Sequence, residues 1–132
     1  MRVVETPFSR LSLCDDGILE AHPIQRDAPR DAALLSDTLD AMETVAGDRP
    51  RPVLWDPAGT LPLRPDGWQA IVDRVNGLFE ALAIVIDSAE EPLLGAFPQI
   101  MDSLLMPVRV FDDETAARQW LLQFADRQPP GT

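Results

Sequence analysis

Short apolar runs alternate with amphipathic helical patterns along residues 53–125, and this alternation limits the possible folds more than any other feature of the chain. These mainly apolar runs lie at residues 53–56, which end in Asp56, at 81–86, and at 108–111, which include Arg109. After each run, apolar residues recur at the spacing of a helix that buries one face. Strands that alternate with helices form parallel sheets with right-handed crossovers, so the pattern predicts three successive strand–helix units.

The N-terminal part of the chain predicts a β-hairpin over residues 8–24. Apolar and polar residues alternate on both sides of the sequence Asp15-Asp16-Gly17. Asp-Gly between two alternating runs is a strong hairpin signal, because both residue types tolerate positive φ. The hairpin precedes the first helix, whose natural end is Gly47.

The helical segments follow from periodicity and capping residues. The predicted helices are, in order, residues 29–46, a helix from Asp66 to Phe79, a helix from Ser88 to Met106 that Pro98 distorts, and a final helix from Asp112 or Asp113 to about Ala125. We therefore predict an α/β fold in one domain over residues 1–125, with a single mixed, mostly parallel sheet of four or five strands, an N-terminal hairpin and about four helices. Residues 126–132 are expected to form a disordered tail.

Charge and composition exclude several classes of function. The 132 residues suit one domain, and 22 acidic residues against 11 basic ones give a formal net charge of -11, which disfavours binding to nucleic acid. The chain contains no lysine, so it has neither a P-loop nor a Schiff-base nucleophile. Cys14 and His22 are too few for a zinc site built from thiolate or imidazole ligands. No apolar run is long enough to insert in a membrane, and an unpaired cysteine suits the cytoplasm.

The order of the predicted elements resembles the SpoIIAA-like fold of the STAS superfamily, which includes anti-sigma-factor antagonists and domains of sulfate transporters. The chain is most similar to an uncharacterised bacterial STAS-like family over residues 8–125. The similarity is carried by the strand at residues 83–86, by Phe97 in the third helix and by the sequence of residues 108–121. It implies a noncatalytic interaction or signalling module.

The resemblance also implies where such a module contacts its partner. Asp56 matches an aspartate at the end of the third strand of the antagonists, and Gly67 matches a glycine at a helix start. Asp66 then occupies the position of the serine or threonine that is phosphorylated in the antagonists. A carboxylate gives a fixed negative charge there, so we expect no phosphorylation switch, while capping of the helix alone also explains Asp66. The loop from Asp56, which includes Thr60, would belong to the same contact surface.

The third predicted helix offers a second contact surface. Its apolar residues, among them Phe97 and Met101, surround more of the helix than one buried stripe requires. Such a surplus is typical of a partner site or of a homodimer contact. Distortion of the helix at Pro98 explains the pattern equally well, with every apolar residue packed inward.

Acidic residues at strand ends leave two alternative functions open. Asp56, Asp87 and Asp112 each follow a predicted parallel strand, at the edge where α/β sheets bind ligands. The first alternative is a domain that binds a small ligand, either a nucleotide or a lipid, at this edge. The second is a Mg²⁺-dependent phosphoryl-transfer enzyme that uses the three carboxylates, although an aspartate at such a junction is most often a cap. We expect no enzyme activity, no cofactor and no metal.

The residues typical of nucleophilic catalysis have ordinary explanations here. His22 is interpreted as a residue on the surface or at the edge of a strand. Cys14 is interpreted as a small, half-buried apolar residue, and the charges of Asp15 and Asp16 would raise the pKa of its thiol.

Overall fold

The computed structural model of the chain describes residues 2–5, 9–23, 32–47, 49–56, 74–86 and 104–125. The predicted contact loop after Asp56, the start of the second helix, most of the third helix and the C-terminal tail lie outside these residues. The helices and strands are β1 (Arg2–Glu5), β2 (Ser9–Leu13), β3 (Leu19–Pro23), α1 (Ala32–Ala46), β4 (Arg51–Trp55), α2 (residues 74–78), β5 (Phe79–Val85), β6 (Val108–Phe111) and α3 (Glu114–Ala125).

The strands form one mixed sheet in which neighbours in space are neighbours in the chain. Its six strands lie in the order β1-β2-β3-β4-β5-β6. The pairs β1–β2 and β2–β3 are antiparallel, and each later pair from β3 to β6 is parallel. The prediction of an α/β fold with a mixed sheet and an N-terminal hairpin is thus confirmed, as is the parallel arrangement of the three strands from β4 onward.

The number of strands and helices differs from the prediction. The sheet has six strands rather than four or five. The additional strand, β1, consists of four residues and is too short for the alternation of polar and apolar residues to identify it. The described ranges hold three helices rather than about four. None of these helices is both long enough and apolar enough to cross a membrane.

Two helix boundaries also need correction. Phe79 begins β5, where it pairs with Arg51 of β4, instead of ending the second helix. Residues 104–107 are not helical, although the apolar pattern extends the third helix to Met106. Pro107 disfavours helical geometry in the residue before it, and the amide of Leu105 donates instead to Asn76 Oδ1, at 2.8 Å.

The hairpin turn and the end of α1 have the geometry that their sequences predict. Gly17 has φ 88°, and the turn is closed by the Cys14 amide, which donates to the Ile18 carbonyl at 2.9 Å. Gly47 has φ 83°, and its amide donates to the Glu43 carbonyl at 3.3 Å. A left-handed glycine after the last helical turn is a common end of a helix, because side chains with Cβ rarely adopt this conformation.

Helices cover both faces of the sheet. The helix α1 contacts β1 and β2, whereas α3 contacts β4, β5 and β6. The buried side chains of the α1 face include Leu11, Leu19, Leu39, Met42, Val45, Val53, Leu82 and Ile84. Those of the α3 face are Ile18, Leu54, Ala81, Ala83, Ala117, Leu121 and Phe124. Alternation along β4 and β5 produces this division, since successive residues of a strand point to opposite faces.

Candidate functional site

A group of charged side chains lies on the α3 face of the sheet, beside the apolar patch that α3 covers. Leu19 and Ala21 of β3 are buried on the α1 face, so the alternating residues Glu20 and His22 point to the α3 face. The register pairs Ala21 with Trp55, and the amide of Asp56 donates to the Ala21 carbonyl at 3.0 Å. Asp56 therefore lies beside His22 at the carboxyl ends of two adjacent parallel strands.

Glu20 is the centre of this group. Its Oε1 lies 2.8 Å from His22 Nε2, and its Oε2 accepts hydrogen bonds from Arg118 and from Cys14 Sγ, the latter at 3.1 Å. The side chain is only 17% exposed. Burial favours the neutral acid, but the hydrogen bonds from His22, Cys14 and Arg118 outweigh it and lower the pKa of Glu20. Glu20 is thus an ionised carboxylate with donors on both oxygens.

Arg118 connects α3 to the hairpin. Its guanidinium donates to Glu20 and, at 2.5 Å, to Asp16 Oδ2 in the hairpin turn. The other carboxylate oxygen of Asp16 accepts the Ile18 amide at 3.1 Å, which fixes the turn. These partners lie 98 and 102 residues away from Arg118 in the chain. One side chain therefore joins α3 to the hairpin of β2 and β3.

His22 lies between two carboxylates. Its Nε2 faces Glu20, and its Nδ1 lies 3.6 Å from Asp56 Oδ2. Asp56 has the largest effect and Glu20 adds to it, so that despite partial burial the pKa of His22 rises from 6.5 to about 9. At neutral pH the imidazole carries a proton on each nitrogen, so it has no lone pair with which to accept a proton.

Cys14 is a protonated thiol in the same group. Burial and its hydrogen bond to Glu20 raise the pKa of the thiol from 9.0 to about 11. The predicted direction is confirmed, with burial as the largest cause and Glu20, across the hairpin, as the acid that adds to it. The thiol is half-buried, as predicted, and also donates a hydrogen bond.

The start of α3 adds a further acidic group beside these residues. Asp113 caps the helix, since its two carboxylate oxygens accept the amides of Thr115, at 3.3 Å, and Ala116, at 3.2 Å. The sequence had left open whether Asp112 or Asp113 caps this helix. Glu114 is exposed in the first turn, and one ligand atom from each of Glu20, His22 and Glu114 lies within 4.8 Å of the others.

The residues predicted to form the site are only partly described. Asp56 lies at the carboxyl edge as expected and forms an ion pair with His22. Asp112 is exposed after β6, and β5 lies between its strand and the strand that precedes Asp56. The remaining predicted site residues lie outside the described ranges: Thr60, Asp66, Gly67, Asp87, Phe97 and Met101.

Glu20 and Arg118 were not predicted as site residues, and His22 was interpreted only as a surface residue. A local signal exists for two of them, because Glu20 and His22 are the polar positions of β3 and so share one face. Arg118 has no such signal. Its contacts with the hairpin depend on the way α3 folds back across the sheet.

No protein-family model, curated protein or solved structure matches the chain. The resemblance to the STAS superfamily accordingly stays a prediction, and the function is inferred from the geometry of the site.

Proposed function

We propose that the chain is a noncatalytic, STAS-like interaction module of the bacterial cytoplasm, and that its carboxyl edge contacts a positively charged protein partner. The observation that supports this proposal most is the mutual pairing of Glu20, His22, Asp56 and Arg118. His22 and Asp56 lie at the carboxyl edge of the sheet, where α/β proteins bind their ligands, and Glu20 connects His22 to Arg118 of α3.

The charge states of these side chains disfavour catalysis. A general base needs a pKa near the working pH, whereas His22 has a pKa of about 9 and is already protonated at neutral pH. A nucleophilic cysteine needs a lowered pKa, whereas that of Cys14 is raised to about 11. Glu20 and Arg118 neutralise each other. The group therefore supports a surface of constant charge better than a reaction.

The sign of the partner's charge follows from the exposed residues at this edge. Asp112, Asp113 and Glu114 are exposed where β6 ends and α3 begins. The whole chain has a formal net charge of -11, so its field attracts cationic surfaces and repels a second copy that approaches by the same edge. A homodimer would therefore use another surface, such as the predicted helix that contains Phe97. Asp66 would extend the acidic edge with a charge that no kinase can change.

The proposal is tested by affinity purification with three forms of the protein from the native host. The wild type is compared with Asp112→Arg, which reverses an exposed charge at the edge, and with Asp37→Arg, which makes the same change at an exposed position of α1. We expect the wild type and Asp37→Arg to retain the same partner and Asp112→Arg to lose it, and we expect binding to weaken as salt is raised.

Two results would contradict the proposal. One is a partner that all three forms retain equally. The other is a thermal shift with a nucleotide or a lipid in the absence of any protein partner, which would favour the small-ligand alternative.

A further inference from the structure

The ligand atoms of Glu20, His22 and Glu114 form a compact group of potential metal donors. Glu20 and His22 project from β3, and Glu114 comes from the first turn of α3. One atom from each lies within 4.8 Å of the other two. A carboxylate, an imidazole and a second carboxylate from one strand and one helix thus lie close together.

The spacing of these atoms is close to that of a zinc site. Ligands about 2.0–2.2 Å from zinc in a tetrahedral arrangement lie roughly 3.2–3.6 Å apart. Glu20 Oε1 and His22 Nε2 are already 2.8 Å apart, so they can open slightly around an ion. Glu114 is exposed and has a long side chain. Its carboxylate can therefore move from within 4.8 Å of the other two ligand atoms to the spacing of a tetrahedral site.

Three neighbouring side chains orient the proposed metal ligands: Asp56 contacts His22, and Arg118 and Cys14 contact Glu20. Metal-binding histidines commonly direct their second nitrogen at a carboxylate, which fixes the ring and its tautomer. Asp56 occupies this position, because its Oδ2 lies 3.6 Å from His22 Nδ1 while Nε2 faces Glu20. Arg118 and Cys14 hold Oε2 of Glu20, so that Oε1 is directed at the imidazole.

We propose that Glu20, His22 and Glu114 bind a divalent transition-metal ion, and we commit to Zn²⁺. The ion takes the place of the proton on His22 Nε2, and that proton passes to the solvent. A set of three protein ligands leaves one coordination position for water or for a donor from another molecule.

The donor set favours zinc over harder cations. Mg²⁺ and Ca²⁺ prefer six or more oxygen ligands, whereas an imidazole nitrogen with two carboxylates suits a borderline ion such as Zn²⁺. Arg118 adds a nearby positive charge, but Asp16 and Glu20 pair with it, and Asp56 adds another negative charge. This inference depends on the geometry around His22 and does not require the proposed interaction function. The positive charge given above for His22 is that of the metal-free protein.

Isothermal titration calorimetry of the metal-free protein with ZnCl₂ tests the site. His22→Gln and Glu114→Gln each remove one ligand, and Asp37→Asn is the matched control, since it removes one exposed acidic charge from α1. We expect one zinc ion per chain and a loss of at least about tenfold in affinity for each ligand variant, with no change for Asp37→Asn. Asp56→Asn should weaken zinc about 10–100-fold, the range typical of an outer-shell carboxylate.

Circular dichroism on each variant verifies that it is folded before the titration. Glu114 is exposed, so its replacement leaves the fold intact and keeps the test decisive even if His22→Gln unfolds. A wild-type protein that binds no zinc at millimolar concentration would overturn the inference. So would zinc affinity that falls equally in Glu114→Gln and Asp37→Asn, because nonspecific attraction to an acidic surface would then explain it.

Discussion

The two faces of the sheet are stabilised in different ways. On the α1 face, buried apolar side chains extend without interruption from Leu11 in β2 to Ile84 in β5. On the α3 face, apolar packing covers β4 and β5, while the neighbouring surface of β3 presents the charged pair Glu20 and His22. A single helix, α3, packs on the apolar part with Leu121 and reaches the charged part with Arg118.

The difference shows how one short helix can serve two purposes. Ala81 and Ala83 of β5 are fully buried in the same apolar cluster as Ala117 and Leu121 of α3. Stability is thus expected to come mainly from apolar packing, and the charges at the edge are expected to fix the position of the helix.

The largest expected effect is the loss of apolar packing under α3. Leu121 is fully buried, so Leu121→Ala removes its contacts and leaves a cavity, and we expect a loss of about 2–5 kcal/mol in the free energy of unfolding. Urea denaturation measures the loss. Leu105→Ala is the matched control, because Leu105 is 85% exposed and its truncation should change stability by less than about 0.5 kcal/mol. Equal losses of unfolding free energy in the two variants would contradict the claim that apolar packing under α3 stabilises this face of the sheet.

A smaller effect is expected from the charged part of the α3 face. A double-mutant cycle with Glu20→Gln and Arg118→Gln should give a coupling energy of about 1–3 kcal/mol, since the charged hydrogen bonds of this pair are largely shielded from water. The matched control is the Glu5–Arg10 pair of β1 and β2, whose side chains are 53% and 58% exposed. Its coupling should not exceed about 1 kcal/mol. Equal coupling energies for the two pairs would mean that α3 is not held by these charges.

A third expected effect is the slow alkylation of Cys14. The pKa of Cys14 is raised from 9.0 to about 11, so at pH 8 the thiolate population, and with it alkylation by iodoacetamide, should be roughly 100-fold below that of an unshifted thiol. Glu20→Gln removes a charge that favours the protonated thiol and should speed the reaction. The chain has one cysteine, so mass spectrometry reports this site alone. Alkylation of the wild type at the rate of a free cysteine would contradict the assigned environment.

Much of the fold could be predicted from local patterns in the sequence. The hairpin around Gly17, the strand at Val108–Phe111 and the Asp113-capped helix depend on turn chemistry, alternation and capping, which act over a few residues. The strand β1 could not be predicted in this way, because four residues hold too little pattern. The boundary at Phe79 depends on pairing with β4, a tertiary contact that overrides helical periodicity.

The site depends more on tertiary structure than the fold does. Asp56 was predicted at the carboxyl edge because the end of a strand is visible in the sequence. Its pairing with His22 requires β3 and β4 to be parallel neighbours, and the pairing of Glu20 with Arg118 spans 98 residues. The alternation along β3 indicates only that Glu20 and His22 share a face, and it gives no sign of their partners Asp56 and Arg118 on other elements.

The central claim is that neighbouring carboxylates hold His22 as a fixed positive charge. Because the folded protein binds this proton more tightly than the unfolded chain, the associated stability is fully present below about pH 6.5 and is lost as the pH rises through about 9. The chain contains one histidine, so its imidazole signals in an NMR titration are unambiguous.

The most direct measurement is this titration on metal-free protein, in the wild type and in Asp56→Asn. We expect a midpoint near pH 9 in the wild type and a clearly lower midpoint in Asp56→Asn, since Asp56 has the largest effect on the pKa of His22. A wild-type midpoint near 6.5, the ordinary value, or a midpoint that Asp56→Asn leaves unchanged, would contradict the account.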